Sequence, residues 1–122
     1  MTYAVPGVVM TVGVEHVVEL VRRIVSESPD EREAGAENAS DWSRLFDQEQ
    51  VDTVVRLLAA TASIEQQRRV REAQLHAILE ISDSATVGSG LLYPLRRLKP
   101  GMLDAEQLGY LNELGIQLEG ES

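Results

Sequence analysis

Asp47-Gln48-Glu49-Gln50-Val51-Asp52-Thr53-Val54-Val55-Arg56-Leu57-Leu58 decides the fold class. Asp47 is a helix N-cap, and Gln50 stands three residues on, where its side chain can return to the cap's own N–H. Val51, Val54, Val55 and Leu58 then fall on one face at the spacing of an amphipathic helix, and Leu57 widens that face. Thr61–Ser63 are expected to end it.

The same grammar recurs toward the C-terminus. Ser63 with Gln66 resembles a second capping box and predicts a long helix over about 64–82. Its apolar residues Ile64, Val70, Leu75, Ile78, Leu79 and Ile81 surround more than one side, so it should pack between two neighbours. Residues 82–90 predict a loop. Leu91, Leu92, Leu95 and Leu98 mark a short helix, with Pro94 acceptable only in its first turn. Asp104 with Gln107 opens a last helix carrying Leu108, Leu111 and Leu114, and Gly115 suits its C′ position. Residues 116–122 predict a frayed tail.

Toward the N-terminus, Val14, Val17, Val18, Val21, Ile24 and Val25 form a helical stripe with Leu20 on its flank. Ser28–Pro29 should stop it. Residues 29–40 are small, acidic and aperiodic, and predict a mobile acidic loop. Residues 1–13 carry Pro6, Gly7 and Gly13 among β-branched side chains and predict an extended arm. The expectation is a single all-α domain over 1–122 with about five helices. They would form stacked antiparallel hairpins, a short HEAT-like solenoid, or a compact helical bundle.

The 122 residues include 43% hydrophobic and 25% charged residues and no cysteine. That is ordinary globular composition, and it excludes disulfides, thiolate metal sites and cysteine nucleophiles. The longest apolar stretch, Val5 to Val14, is interrupted by Pro6 and Gly7 and too short to span a bilayer. The expectation is a cytoplasmic protein that does not engage a membrane. The net charge of −9 argues against nucleic acid as a partner. The acid is concentrated: residues 27–52 hold nine acids and two bases, and residues 100–122 hold five acids and no base. Such a field attracts a cationic protein. Trp42, the only tryptophan, sits inside the first acidic segment, four residues before Phe46. Glu31, Glu33, Glu37, Asp41, Trp42, Asp47, Glu49 and Asp52 are therefore the candidate partner-binding set. The carboxylates would meet Arg or Lys, and the indole would fill a pocket.

No nucleophile, base and oxyanion donor come together in the sequence, and neither an enzyme nor a cofactor is expected. Gly88-Ser89-Gly90 lacks P-loop spacing. Glu72, His76 and Glu80 lie at i, i+4 and i+8, a stripe that could serve a metal-dependent enzyme. Glu65, Arg68, Arg69 and Asp83 share that face, which reads better as solvated. Arg68, Arg69 and Arg71 form a local basic cluster suited to internal pairing.

Glu72-Ala73-Gln74-Leu75-His76-Ala77-Ile78-Leu79-Glu80-Ile81 resembles a HEAT-type helix. The section Val54–Gly115, through REAQLHAILEIS, LLYPLRRL and EQLGYLNELG, resembles the small helical immunity proteins encoded beside polymorphic or contact-dependent bacterial toxins. The resemblance covers about half the chain. It implies a cytoplasmic, non-catalytic single domain that binds a cognate toxin and blocks its active site or substrate groove; separately, a monomer or weak homodimer is expected. The competing expectation is a HEAT-like adaptor or regulatory subunit that docks through Arg68, Arg69, Arg96 and Arg97.

Overall fold

The computed structural model describes residues 12–120. Among them are five α-helices, two 3₁₀ helices and no strand. The helices are α1 (Val14–Ile24), α2 (Pro29–Asp41), α3 (Gln48–Ile64), α4 (Arg68–Ser84) and α5 (Ala105–Glu113), with 3₁₀ helices at Ser89–Arg97 and Pro100–Met102 before α5. They form a helical bundle around one apolar cluster. α4 lies at its centre, against α2, α3 and α5, as its two-sided apolar pattern requires.

α3 begins as its sequence dictates. The Asp47 carboxylate accepts the Gln50 N–H at 2.8 Å, and the Gln50 side chain accepts the Asp47 N–H at 3.0 Å. Val51, Val54, Val55, Leu58, Ala59 and Ala62 are fully buried along one face. Asp47→Ala is expected to cost about 1 kcal/mol of stability, read as a lowered midpoint of thermal unfolding. The helix does not end at Thr61–Ser63. The Thr61 and Ser63 hydroxyls donate to the carbonyls of Leu57 and Ala60 within the helix, a bond that leaves no cap for a following helix. α4 instead starts at Arg68, and its approach is held by the Glu65 carboxylate, which accepts the Gln67 N–H at 3.2 Å.

The acidic stretch 29–40 is not a loop. It forms α2, which runs to Asp41. Ser28 caps it by accepting the Glu31 N–H, Pro29 occupies the first turn, and Asp30 and Glu31 complement the helix dipole there. Its buried face consists of Gly35, Ala36 and Ala39. These side chains bury little apolar area, so hydropathy periodicity does not register them. They do allow close approach to the neighbouring helices α1 and α4. A Cβ on Gly35 would lie 2.9 Å from both the Arg23 Cβ and the Ile24 backbone nitrogen.

α1 is rotated from its expected orientation. Leu20 and Ile24 are its buried residues, whereas Val14, Val18 and Val25 face outward. Valine occurs on both sides of this helix, and contact with α2 and α3 selects the Leu20–Ile24 face.

The expected arm over 1–13 lies outside the described residues except for Val12 and Gly13. Among the described residues the tail is not frayed but packs onto the bundle. Leu118 is 2% exposed, and the Glu119 N–H donates to the Arg96 carbonyl at 2.8 Å. α5 ends where Gly115 adopts φ +73°. The Gly115 and Ile116 N–H groups bond the carbonyls of Asn112 and Leu111, a Schellman closure that turns the chain back toward the core.

Candidate partner-binding surface

α2, α4 and α5 bound an open groove of about 240 Å³ lined by Glu33, Glu37, Arg69, Glu72, His76 and Tyr110, with Ala73 at its floor. Glu33 and Glu37 come one turn apart from the outer side of α2, Glu72 and His76 one turn apart from α4, and Tyr110 from α5. The groove exists because the small face of α2 lets its acidic face stand close beside α4.

Its charges are held in place. Arg69 bridges Asp30, at 2.7 Å, and Glu33. The Asp30 hydrogen bond, with Glu33 beside it, raises the Arg69 pKa further above its ordinary value. Glu72 has one buried carboxylate oxygen without a hydrogen-bond partner. Its nearest cation is the Arg68 guanidinium at 4.0 Å. Arg68 also pairs with Asp104. The Asp104 carboxyl is held below its ordinary range by the Gln107 N–H, a desolvation contribution opposing this, and then by Arg68. Tyr110 donates to Glu106 at 2.9 Å. Burial first and Glu106 second push its pKa up to about 12, so its ring carries a neutral phenol at physiological pH. His76 lies 3.3 Å from Glu80 and 3.4 Å from the Ser40 hydroxyl, with its ring 6.0 Å from that of Tyr110. Glu33 is already paired with Arg69, which leaves Glu37 and Glu72 beside an aromatic face, groups of the kind that can accept a guanidinium or ammonium.

The eight candidate residues do not form one site. Glu33 and Glu37 enter the groove. Asp41 is exposed at the last residue of α2, and Glu31 in its first turn accepts the Ser26 hydroxyl at 2.7 Å. Trp42 is half-buried against the core. Its ring meets His16 edge-on at 6.3 Å, beside a cavity of about 200 Å³ shared with Glu19, Leu20, Arg23 and Asn38. Asp47 is engaged in its cap, Asp52 accepts the Gln48 amide at 2.9 Å, and Glu49 is exposed in the first turn of α3. The carboxylates thus divide between the outer face of α2 and the start of α3, with Trp42 in the connection.

Glu72, His76 and Tyr110 were not in the candidate set. The Glu72–His76 spacing signalled one shared helical face, but nothing in the chain pattern placed Tyr110 opposite it. The stripe Glu72, His76 and Glu80 does not converge: His76 turns to Glu80 and Ser40, and Glu72 to Arg68. Among the described residues, no group of three or more His, Asp or Glu side chains is arranged to hold a metal ion. Of the arginines suited to an adaptor surface, Arg68 and Arg69 are paired within the molecule, and Arg96 lies over the Tyr93 ring at 5.1 Å.

A buried polar network joins the same helices. Glu65, 4% exposed, accepts two bonds from Arg32, at 2.7 and 2.9 Å, and one from Gln74 at 3.1 Å. Burial pushes the Glu65 carboxyl up. Arg32, the Gln67 N–H and the Gln74 amide together outweigh it and hold the carboxyl below its ordinary value. Arg71, also buried, donates to the Glu65 carbonyl at 2.7 Å, to Gln107 at 3.0 Å and to the Met102 carbonyl at 2.8 Å. This network ties α2, the end of α3, α4 and α5 together.

No family model, curated protein or solved structure matches the chain. Among the described residues, no helix is long and apolar enough to cross a membrane.

Proposed function

We propose that this chain is a non-catalytic, cytoplasmic binding protein, an immunity protein that neutralises a cognate bacterial toxin by covering its active site. The observation that carries the proposal is the groove in which Glu37 and Glu72 stand beside Tyr110 and the Arg69–Glu33 pair, on a chain of net charge −9. Carboxylates held on a helical frame require little ordering on binding, and an acidic field accelerates encounter with a cationic partner. A toxin that acts on nucleic acid carries cationic groups for phosphate, and these carboxylates would occupy them. The resemblance of Val54–Gly115 to helical immunity proteins points the same way.

The test is to purify the product of the gene adjacent to this one and titrate it with the chain. A one-to-one complex that abolishes the partner's activity, with an association rate that falls steeply as salt rises, is the expected result. Full partner activity at saturating amounts of the chain would refute the proposal.

A further inference from the structure

We propose that the groove between α2, α4 and α5 is gated by protons: His76, in its wall, weakens the hold on a cationic group when it takes up a proton. The inference rests on the reading of the groove as a receptor for a cation, and it adds how that receptor is regulated.

His76 stands on α4 one turn beyond Glu72, among the side chains that line the groove. Its ring is held from two sides. Nδ1 lies 3.4 Å from the Ser40 hydroxyl of α2, and Nε2 lies 3.3 Å from a Glu80 oxygen on α4. The Tyr110 ring of α5 stands on a third side, with its centroid 6.0 Å away. These partners serve both charge states. In the neutral ring Nε2–H donates to Glu80 and Nδ1 accepts the Ser40 hydroxyl. In the imidazolium both nitrogens donate. Proton uptake therefore changes the charge of the wall without requiring the ring to move.

The charged and titratable groups around the ring come from all three helices. α2 supplies Glu33, which is paired with Arg69, and Glu37, which makes no ion pair among the described residues. α4 supplies Glu72, Glu80 and Arg69, the last also committed to Asp30. α5 supplies Tyr110, which donates to Glu106 and whose pKa, pushed up to about 12 by burial and then by Glu106, leaves it neutral. Asp41 and Glu113, one turn further along α2 and α5, lie outside the lining. Because Arg69 offsets Glu33, the lining carries two net negative charges from Glu37 and Glu72 while His76 is neutral, and one when it is protonated. A cation entering beside an imidazolium meets repulsion where it would otherwise meet only attraction. Histidine is the side chain whose charge ordinarily changes between pH 5 and 8, so the groove should lose affinity for a cation as pH falls through that range. By linkage, a cation in the groove must lower the proton affinity of His76 by the same factor.

NMR titration of the full chain with agmatine, a guanidinium joined to an alkyl ammonium, tests this at constant ionic strength. The His76 and Tyr110 ring signals and the Ala73 amide should respond, with an affinity on the order of tenfold lower at about pH 5 than at about pH 8. Saturating agmatine should lower the midpoint of the His76 titration by about one pH unit, the same tenfold. The midpoint of His16, which lines the separate cavity beside Trp42, should stay in place. His76→Gln should bind agmatine equally at both pH values. Equal affinity at both pH values in the parent chain, a fall that survives in His76→Gln, or a His76 midpoint that agmatine does not move would overturn the proton gate and leave the groove standing as a cation receptor. A groove that responds to agmatine at neither pH would overturn both.

Discussion

Glu65→Ala is expected to destabilise the fold by about 3–5 kcal/mol, because it leaves a largely buried guanidinium without its carboxylate. Arg32 loses both bonds to Glu65, and the Gln74 amide and Gln67 N–H lose their acceptor. For a chain of this size that is a fall in unfolding midpoint of about 12–20 °C, measurable by calorimetry. The total stability of such a domain is about 5–15 kcal/mol, so the variant sits near the limit of folding. The pH dependence follows from the lowered carboxyl pKa. Glu65 binds protons more weakly in the folded chain than in the unfolded one, where its pKa is about 4.3. Its stabilisation is fully present above that value and disappears as pH falls through the lower folded value. The gap between parent and Glu65→Ala is therefore widest near neutrality and closes in acid. An equal gap at neutral and strongly acid pH would show that the loss arises from packing and not from the ion pair.

Gly35→Ala is the second large effect. Alanine is the better helix former by about 1 kcal/mol, and in a mobile loop the change would be close to neutral. Here the added Cβ would meet the Arg23 Cβ and the Ile24 backbone nitrogen, both at 2.9 Å. Backbone cannot yield as a side-chain end can. α1 and α2 must separate, with an expected net loss of about 1–3 kcal/mol in denaturant unfolding, and Gly35→Val should lose more. A neutral or stabilising Gly35→Ala would mean that α2 does not seat closely on α1.

The elements that could be read from sequence are those whose signals are local. The Asp47–Gln50 box starts α3 through bonds made within four residues, and Gly115 ends α5 because that turn needs a positive φ. α4 announced its central position by carrying apolar residues on two sides. α2 was hidden because its buried face is Gly35, Ala36 and Ala39, and because Asp30, Glu31, Glu33 and Glu37 make the stretch read as solvent-facing. Helix N-terminal signals were present in Ser28 and Pro29, but the absence of an aliphatic stripe outweighed them. α1 was misoriented since valines occupy both of its faces and only contact with its neighbours distinguishes them. The site was half legible for related reasons. The acids of α2 were visible as charge. Their meeting with Glu72, His76 and Tyr110 depends on how three helices pack. The Arg32–Glu65–Gln74 and Arg71–Gln107 network was invisible because charged and amide side chains read as surface until their partners are known.

If the groove between α2, α4 and α5 receives the proposed cationic partner, reversing its charge must cost more than reversing charge elsewhere. The most direct measurement compares two charge-reversed chains in calorimetric titration against the product of the adjacent gene. One carries Glu37→Lys and Glu72→Lys in the groove, and the other Glu49→Lys and Asp52→Lys at the start of α3. Both change the net charge equally, so long-range attraction falls alike in the two. The predicted result is a loss of affinity of on the order of a hundredfold or more for the groove variant and a much smaller loss for the other. Equal losses, or a larger loss at the start of α3, would contradict the account.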